Sequence, residues 1–144
     1  MTITCTRKLT FDSGHRILNH EGRCKVPHGH TYTAYISACA VKLDHIGRIV
    51  DFSVLKEIYG SWIDQNFDHG FLVWEKDIDL LRALSSVLGS KVYYCPFNPT
   101  AEEIAKFLGT HYEFTQALAE FDVEIVKVKV YETPNCYAEW IRDE

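Results

Sequence analysis

Cys24-Lys25-Val26-Pro27-His28-Gly29-His30, running on into Thr31-Tyr32-Thr33-Ala34-Tyr35-Ile36, is the stretch that decides the fold. Residues 28–42 are rich in Thr, Tyr, Ile, Val and Ala, which suit a pleated backbone, and they predict a long strand. Side chains two residues apart on a strand leave from the same face, so His28 and His30 aim at one point. Gly29 leaves room beside them. Upstream, residues 2–11 alternate: Ile3, Cys5, Leu9 and Phe11 lie on one side, Thr2, Thr4, Lys8 and Thr10 on the other. That period predicts a first strand, with His15 just past its end. Pairing of the two strands through a loop at 16–27 brings His15 close to His28 and His30.

Downstream, residues 44–47 read as a turn, and Ser53 is placed to cap a helix over 53–66. The apolar positions Leu55, Ile58, Tyr59, Trp62 and Ile63 follow helical spacing. Residues 77–88 predict a shorter helix through Ile78, Leu81, Leu84 and Leu88, and residues 93–99, with two prolines, read as irregular. Thr100 with Glu103 matches a capping box, opening a third helix whose apolar face continues through Ile104, Phe107 and Leu108. Strand signals return at 123–131 and 136–141. The order β, β, α, α, α, β, β predicts an α+β domain spanning 1–144, with helices on one face of a four-stranded antiparallel sheet.

The composition narrows the function classes. Apolar residues make up 47% of the 144, enough for a core, and the net charge is -5 with lysines and arginines scattered. Nucleic acid needs clustered cations and is not expected as a partner. The N-terminal residues Met1 to Phe11 lack the apolar core of a secretory signal, and no apolar run is long enough to span a membrane. The expectation is a soluble, cytoplasmic protein. Five cysteines, an odd count without regular spacing, argue against a disulfide framework.

The histidines carry the chemistry. Three imidazoles with an open fourth position are the arrangement of catalytic zinc. The competing reading is three solvated histidines. Cys24 lies four residues before His28, between Arg23 and Lys25, whose charges favour its thiolate. A thiolate there can act as nucleophile or base, or close the metal site as a fourth ligand. Asp68-His69 pairs a carboxylate with a group that titrates near neutral pH, or else ends a helix in solvent. Val126, Val128 and Val130 are expected on one strand face, which Glu132 continues; a carboxylate there either binds a ligand's N–H groups or stands past the strand end. His20, His45 and His111 read as surface residues.

Taken together, the motifs are similar to those of a known family. The chain resembles the 6-pyruvoyltetrahydropterin synthase and 6-carboxytetrahydropterin synthase family over nearly its whole length. The resemblance rests on Phe11-Asp12-Ser13-Gly14-His15-Arg16, on Cys24 with His28-Gly29-His30, on Gly47-Arg48-Ile49-Val50-Asp51-Phe52, on Phe67-Asp68-His69, on Pro99-Thr100-Ala101-Glu102 and on Val130-Tyr131-Glu132-Thr133. It implies a tunnelling fold whose trimers close a β-barrel and stack as hexamers. It implies zinc on His15, His28 and His30, a catalytic group of Cys24, Asp68 and His69, and a pterin anchored by Glu132 with Thr100 and Glu102 nearby. Asp68 and His69 would then serve a neighbouring subunit's zinc.

The three-residue gap between Cys24 and His28 looks like the bacterial carboxytetrahydropterin branch of 7-deazaguanine and queuosine biosynthesis. The implied reaction turns 7,8-dihydroneopterin triphosphate into 6-carboxy-5,6,7,8-tetrahydropterin, releasing acetaldehyde and triphosphate. Arg16, Arg23 and Lys25 are near enough in sequence to receive the triphosphate. The alternatives are pyruvoyltetrahydropterin synthase and a non-catalytic, zinc-stabilised pterin-binding assembly protein. Two features depart from the family pattern: a long segment at 74–97, and Leu72-Val73 where Leu-Asn is usual.

Overall fold

A computed structural model describes residues 3–143, so Thr2 and the two chain ends lie outside the described residues. The predicted first hairpin forms, but its first strand runs on to His15 and its second ends at Ala40, two residues short of the expected 42. β1 (Cys5–His15) runs antiparallel to β2 (His28–Ala40), pairing Phe11 with Tyr32, Ser13 with His30 and His15 with His28. β5 (Val123–Thr133) lies antiparallel on the other side of β2, and β6 (Cys136–Ile141) antiparallel to β5. These are the four expected strands.

The sheet has six strands, which corrects the expectation of four. β3 (Gly70–Trp74) pairs parallel to β1, and β4 (Val92–Cys95) parallel to β3, giving the order β4-β3-β1-β2-β5-β6. Both added strands are short. β4 occupies part of the stretch read as irregular, because its prolines lie just beyond it, at Pro96 and Pro99.

The helices differ in detail from the sequence reading. α1 (Phe52–Leu55), a π-helical turn at Lys56–Gly60 and α2 (Ser61–Asn66) follow one another without a break. The N-cap is Asp51 rather than Ser53: its Oδ1 accepts the Ser53 backbone N–H at 2.9 Å. α3 (Ile78–Ser85) is capped by Asp77 and ends before Leu88, which is fully exposed. Thr100 caps α4 (Ala101–Thr110), its Oγ1 accepting the Glu103 N–H at 3.2 Å. A second helix, α5 (Tyr112–Ala119), follows at once and was not expected.

Helices and one face of the sheet close a single core. Tyr32, Ala34, Ile36 and Ala38 of β2 and Val123, Ile125, Val128 and Val130 of β5 meet Leu55, Tyr59, Ile63, Ile104, Leu108, Phe114 and Leu118. His111 is not the surface residue expected: it packs against Phe107, with ring centroids 4.5 Å apart, and against Trp62 and Phe114.

The β5 strand corrects another expectation. Lys127 faces Ser37, but the next partner of β2, Ala38, faces Ile125, which leaves Val126 as an extra, half-buried residue in a bulge. The inward set therefore changes parity, from Val123 and Ile125 to Val128 and Val130. Glu132 continues the set of Val128 and Val130, and it lies at a second irregularity, between Tyr131 and Thr133 in the pairing with β6.

Phe67 shows how the core supports the site end of the sheet. It is fully buried against Phe11, Trp62, Tyr93 and Phe107, and its carbonyl accepts the Ser13 hydroxyl at 2.5 Å. Removing its ring would open a cavity among these packed rings. Phe67→Ala should cost about 3–5 kcal/mol in urea unfolding, and a loss under about 1 kcal/mol would show that the cluster collapses around the gap.

Candidate metal centre and adjoining pocket

The β1–β2 register sets the site. Ser13, Gly14 and His15 of β1 lie opposite His30, Gly29 and His28 of β2, so the three histidines share one face at one end of the hairpin. Their Nε2 atoms converge: His15 to His28 is 3.1 Å, and His28 to His30 is 3.1 Å. Among the described residues, one ligand atom from each lies within 4.8 Å of the others, and this group contains no cysteine. Cys24 is outside it, which disfavours the reading of Cys24 as a fourth ligand.

Two of the rings are oriented from behind. His15 Nδ1–H is shared between the Pro99 carbonyl, at 2.8 Å, and the Tyr32 hydroxyl oxygen, at 3.1 Å. His28 Nδ1–H donates to the Val26 carbonyl at 2.6 Å. With those protons on Nδ1, the Nε2 atoms of His15 and His28 present lone pairs to each other. Such a contact is repulsive unless a cation sits between them. Nitrogens about 2.0–2.1 Å from a tetrahedral metal stand about 3.3–3.4 Å apart, close to the spacing here. The donor set thus fits a metal ion with three imidazole ligands.

Burial disfavours the charged form of two of the three rings. His15 is 1% exposed, and desolvation pulls its pKa from 6.5 down to about 4, against the upward pull of the Pro99 carbonyl. His30 is lowered too, first by burial and then by His28. Glu132 completes this wall: its two carboxylate oxygens lie 3.8 Å from His15 Nε2 and 3.8 Å from His30 Nε2. Its side chain is 22% exposed, so it does not stand free past the strand end. Burial raises its pKa, the Glu102 charge adds to that, and His28 opposes it.

Glu132 also lines a cavity of about 220 Å³ together with Cys24, Thr100, Glu102, His20 and Cys136. Four of the sequence-derived site residues are thus brought together beside the trio. His20, read as a surface residue, belongs to this wall, with its Nδ1 accepting the Gly22 N–H at 2.7 Å. Cys24 sits in a short 3-10 turn (Arg23–Lys25), half-buried. Arg16 is not free for a phosphate group: its guanidinium makes two hydrogen bonds to the buried Asp77.

Asp68 and His69 lie outside that cavity. His69 lines a second, open depression of about 510 Å³ with Asp12, Gly14, His28, His30 and Phe71. It is 78% exposed, and its φ of 59° puts it in the left-handed region, which non-glycine residues seldom adopt. Its backbone N–H donates to the Asp12 carbonyl at 2.7 Å, and its Nδ1–H donates to Asp68 at 2.8 Å. Partial burial raises the Asp68 carboxyl, but the Asp12 N–H, His69 and Lys91 outweigh it and hold it below its ordinary value. In one chain, then, Cys24 and His69 face different openings. Pro99 and Tyr32, which orient His15, were not legible as site residues. A carbonyl leaves no mark in a sequence, and Tyr32 reads as an ordinary core aromatic.

The sheet and the trio define the class: an α+β protein with a three-histidine group suited to a metal ion. Comparison with known proteins gives the family. The chain matches the model of the 6-pyruvoyl tetrahydropterin synthase family over residues 4–143, and it belongs to that family. It is 39% identical over 137 residues to the 6-carboxy-5,6,7,8-tetrahydropterin synthase of Rickettsia conorii, covering 95% of this chain and 99% of that one. It is 29% identical over 141 residues to the protein of the same name from Haemophilus influenzae, covering 94% and 96%. An uncharacterized protein of Wolinella succinogenes shares the fold at a TM-score of 0.83, with 20% identity and 99% of each chain covered. The 6-pyruvoyl tetrahydropterin synthase of Caenorhabditis elegans does so at 0.69, with 18% identity and 99% and 97% covered. The tunnelling fold expected from the sequence is thereby established. No helix among the described residues is long and apolar enough to cross a membrane.

The depressed His15 pKa has a measurable consequence in metal-free protein. Between about 4 and 6.5 the unfolded chain binds a proton that folded His15 refuses, so stability rises with pH across that window. The contribution is complete above 6.5 and lost as pH falls to about 4. At about 1.4 kcal/mol per pH unit it amounts to roughly 3 kcal/mol. Urea unfolding of the metal-free protein across this range should show the slope, and His15→Asn should flatten most of it. An unchanged slope in that variant would assign the effect to other groups.

Proposed function

We propose that the chain is a zinc-dependent 6-carboxy-5,6,7,8-tetrahydropterin synthase. It converts 7,8-dihydroneopterin triphosphate to 6-carboxytetrahydropterin and releases acetaldehyde and triphosphate, the step that feeds 7-deazaguanine and queuosine synthesis. The observation that carries the reading is the cavity in which Cys24, Glu132, Thr100 and Glu102 meet beside the histidine trio. The relatives that bear this name at 39% identity over 95% of the chain support it.

His15, His28 and His30 hold the zinc in this reading. Bound there, zinc supplies Lewis-acid polarisation of the substrate's side-chain oxygens. Glu132 accepts hydrogen bonds from the pterin amino and ring N–H groups and fixes the ring, with Thr100 and Glu102 shaping the same wall. Its half-buried carboxylate suits that role, since a buried acceptor without a partner is costly and a pterin edge supplies donors. Cys24 moves protons at the side-chain carbons and at C6. His69 is the partner acid–base, and Asp68 fixes its tautomer through the Nδ1 hydrogen bond. Because Cys24 and His69 face different openings in one chain, the working site takes His69 from a neighbouring subunit in a trimer-based homo-oligomer. The chain works in the cytoplasm on a small-molecule pterin, with neither nucleic acid nor membrane as partner.

The test is a mass-spectrometric product assay on zinc-loaded protein with 7,8-dihydroneopterin triphosphate. The carboxypterin should form with acetaldehyde and triphosphate in equal amounts. A pyruvoyl product assigns the chain to the other branch of the family, and pterin binding without turnover assigns it to a non-catalytic role. Cys24→Ala should lower kcat by about 10²-fold or more, and full activity in that variant defeats the mechanism. Glu132→Gln should act mainly through KM, because it removes the charge that holds the ring.

A further inference from the structure

The loop over 16–27 carries Cys24, and beyond one 3-10 turn it has no regular structure. Asn19, Glu21, Arg23, Lys25, Val26 and Pro27 are all exposed, so packing does little to hold it. One end is tied to the start of α3 by Arg16 on Asp77, and the other to the metal trio by the Val26 carbonyl on the His28 ring. Across its middle, the Ile17 N–H donates to the Cys24 carbonyl at 2.7 Å. The position of Ile17 and Leu18 therefore decides where Cys24 stands.

One side chain holds Leu18. The Leu18 N–H donates to Asn98 Oδ1 at 3.2 Å, and Asn98 Nδ2–H donates to the Leu18 carbonyl at 3.1 Å. A single planar carboxamide thus satisfies both backbone groups of one residue, as a neighbouring strand would. Only one orientation of the amide makes both bonds, and neither a carboxylate nor a methyl group can make the pair.

Asn98 also begins the segment that holds the metal trio. The next residue is Pro99, whose carbonyl accepts His15 Nδ1–H at 2.8 Å. The one after is Thr100, which caps α4 and lines the Cys24 cavity. The Thr100 N–H donates to the Asn98 carbonyl at 2.7 Å across the proline, a tight three-residue turn. Proline fixes its own φ, so this tripeptide is stiff. Its first residue grips the Cys24 loop, and its second orients a metal ligand.

We propose that Asn98 is a positioning residue that sets the Cys24 thiol against the histidine trio by clamping Leu18. Its catalytic consequence rests on the proposed role of Cys24, whereas the clamp itself does not. The side-chain hydrogen bonds of Asn98 go to Leu18 and not to the trio, so its loss should leave the three ligands and the Pro99 carbonyl in place. What it releases is the loop.

Asn98→Ala and Asn98→Asp, each in the full-length zinc-loaded protein, test this. The aspartate keeps the size and one acceptor but sets a carboxylate against the Leu18 carbonyl, so it decides the matter should the alanine variant not fold. Three readouts are taken: the split of kcat from KM, zinc per chain, and the rate at which iodoacetamide alkylates Cys24, followed by peptide mass spectrometry. The expected result is a kcat lower by about 10- to 100-fold, the cost of a misplaced group, with KM little changed. Zinc content stays as in the parent, and Cys24 is alkylated several-fold faster. Parental alkylation and kcat in both variants overturn the proposal. So does loss of zinc or of the fold in both, because Asn98 is then general support. If the parent protein does not turn over 7,8-dihydroneopterin triphosphate at all, the functional reading fails, and the alkylation rates still decide whether the clamp exists.

Discussion

Antiparallel pairing of β1 with β2 in one register is the constraint on which the site depends. With His15 opposite His28 and Ser13 opposite His30, the outer pair of the hairpin end is entirely histidine, and the glycines 14 and 29 meet between them. A slip of one residue would send His28 and His30 to the other face of the sheet and leave His15 buried alone. The core enforces the register. Phe11 stacks on Tyr32 with ring centroids 5.0 Å apart, and Ala34, Ile36 and Ala38 are all fully buried on the same face of β2. A Cβ added at Gly14 would stand 2.7 Å from the Phe71 ring, so a side chain there would displace that ring. The apolar packing that stabilises the sheet therefore also brings the three imidazoles together.

Electrostatics complete what the register begins. Converging neutral nitrogens cost free energy, and burial of His15 makes protonation an unfavourable escape. Carbonyls of Pro99 and Val26 choose the tautomers, so the lone pairs face inward. Glu132 adds a carboxylate close to two of the rings. Three imidazole donors, a carboxylate close by and no cysteine in the group form a set suited to a metal ion. Cys24, one wall away, keeps its sulfur outside that set.

Much of this was legible in the sequence, and the failures have physical causes. Period-two spacing placed His28 and His30 on one face, and the hairpin supplied His15. Thr100 and Glu103 marked a helix start, as observed. Glu132 stands out in the sequence because it continues the expected face of Val126, Val128 and Val130. It does face the pocket in step with Val128 and Val130, whereas Val126 drops out of that face in a bulge that no residue type announces. β3 and β4 are too short for alternation to distinguish them from a loop. His111 and His20 read as surface residues because a lone histidine carries no sign of the aromatic cluster or cavity around it. Backbone carbonyls, which orient two of the three ligands, have no letter of their own.

The most direct measurement of the account is zinc K-edge X-ray absorption on the zinc-loaded protein. The ligands of the zinc should be nitrogen and oxygen only, at about 2.0–2.1 Å, with three imidazoles and one exchangeable oxygen. A sulfur scatterer at about 2.3 Å would contradict it, since Cys24 would then close the site and the metal would be structural.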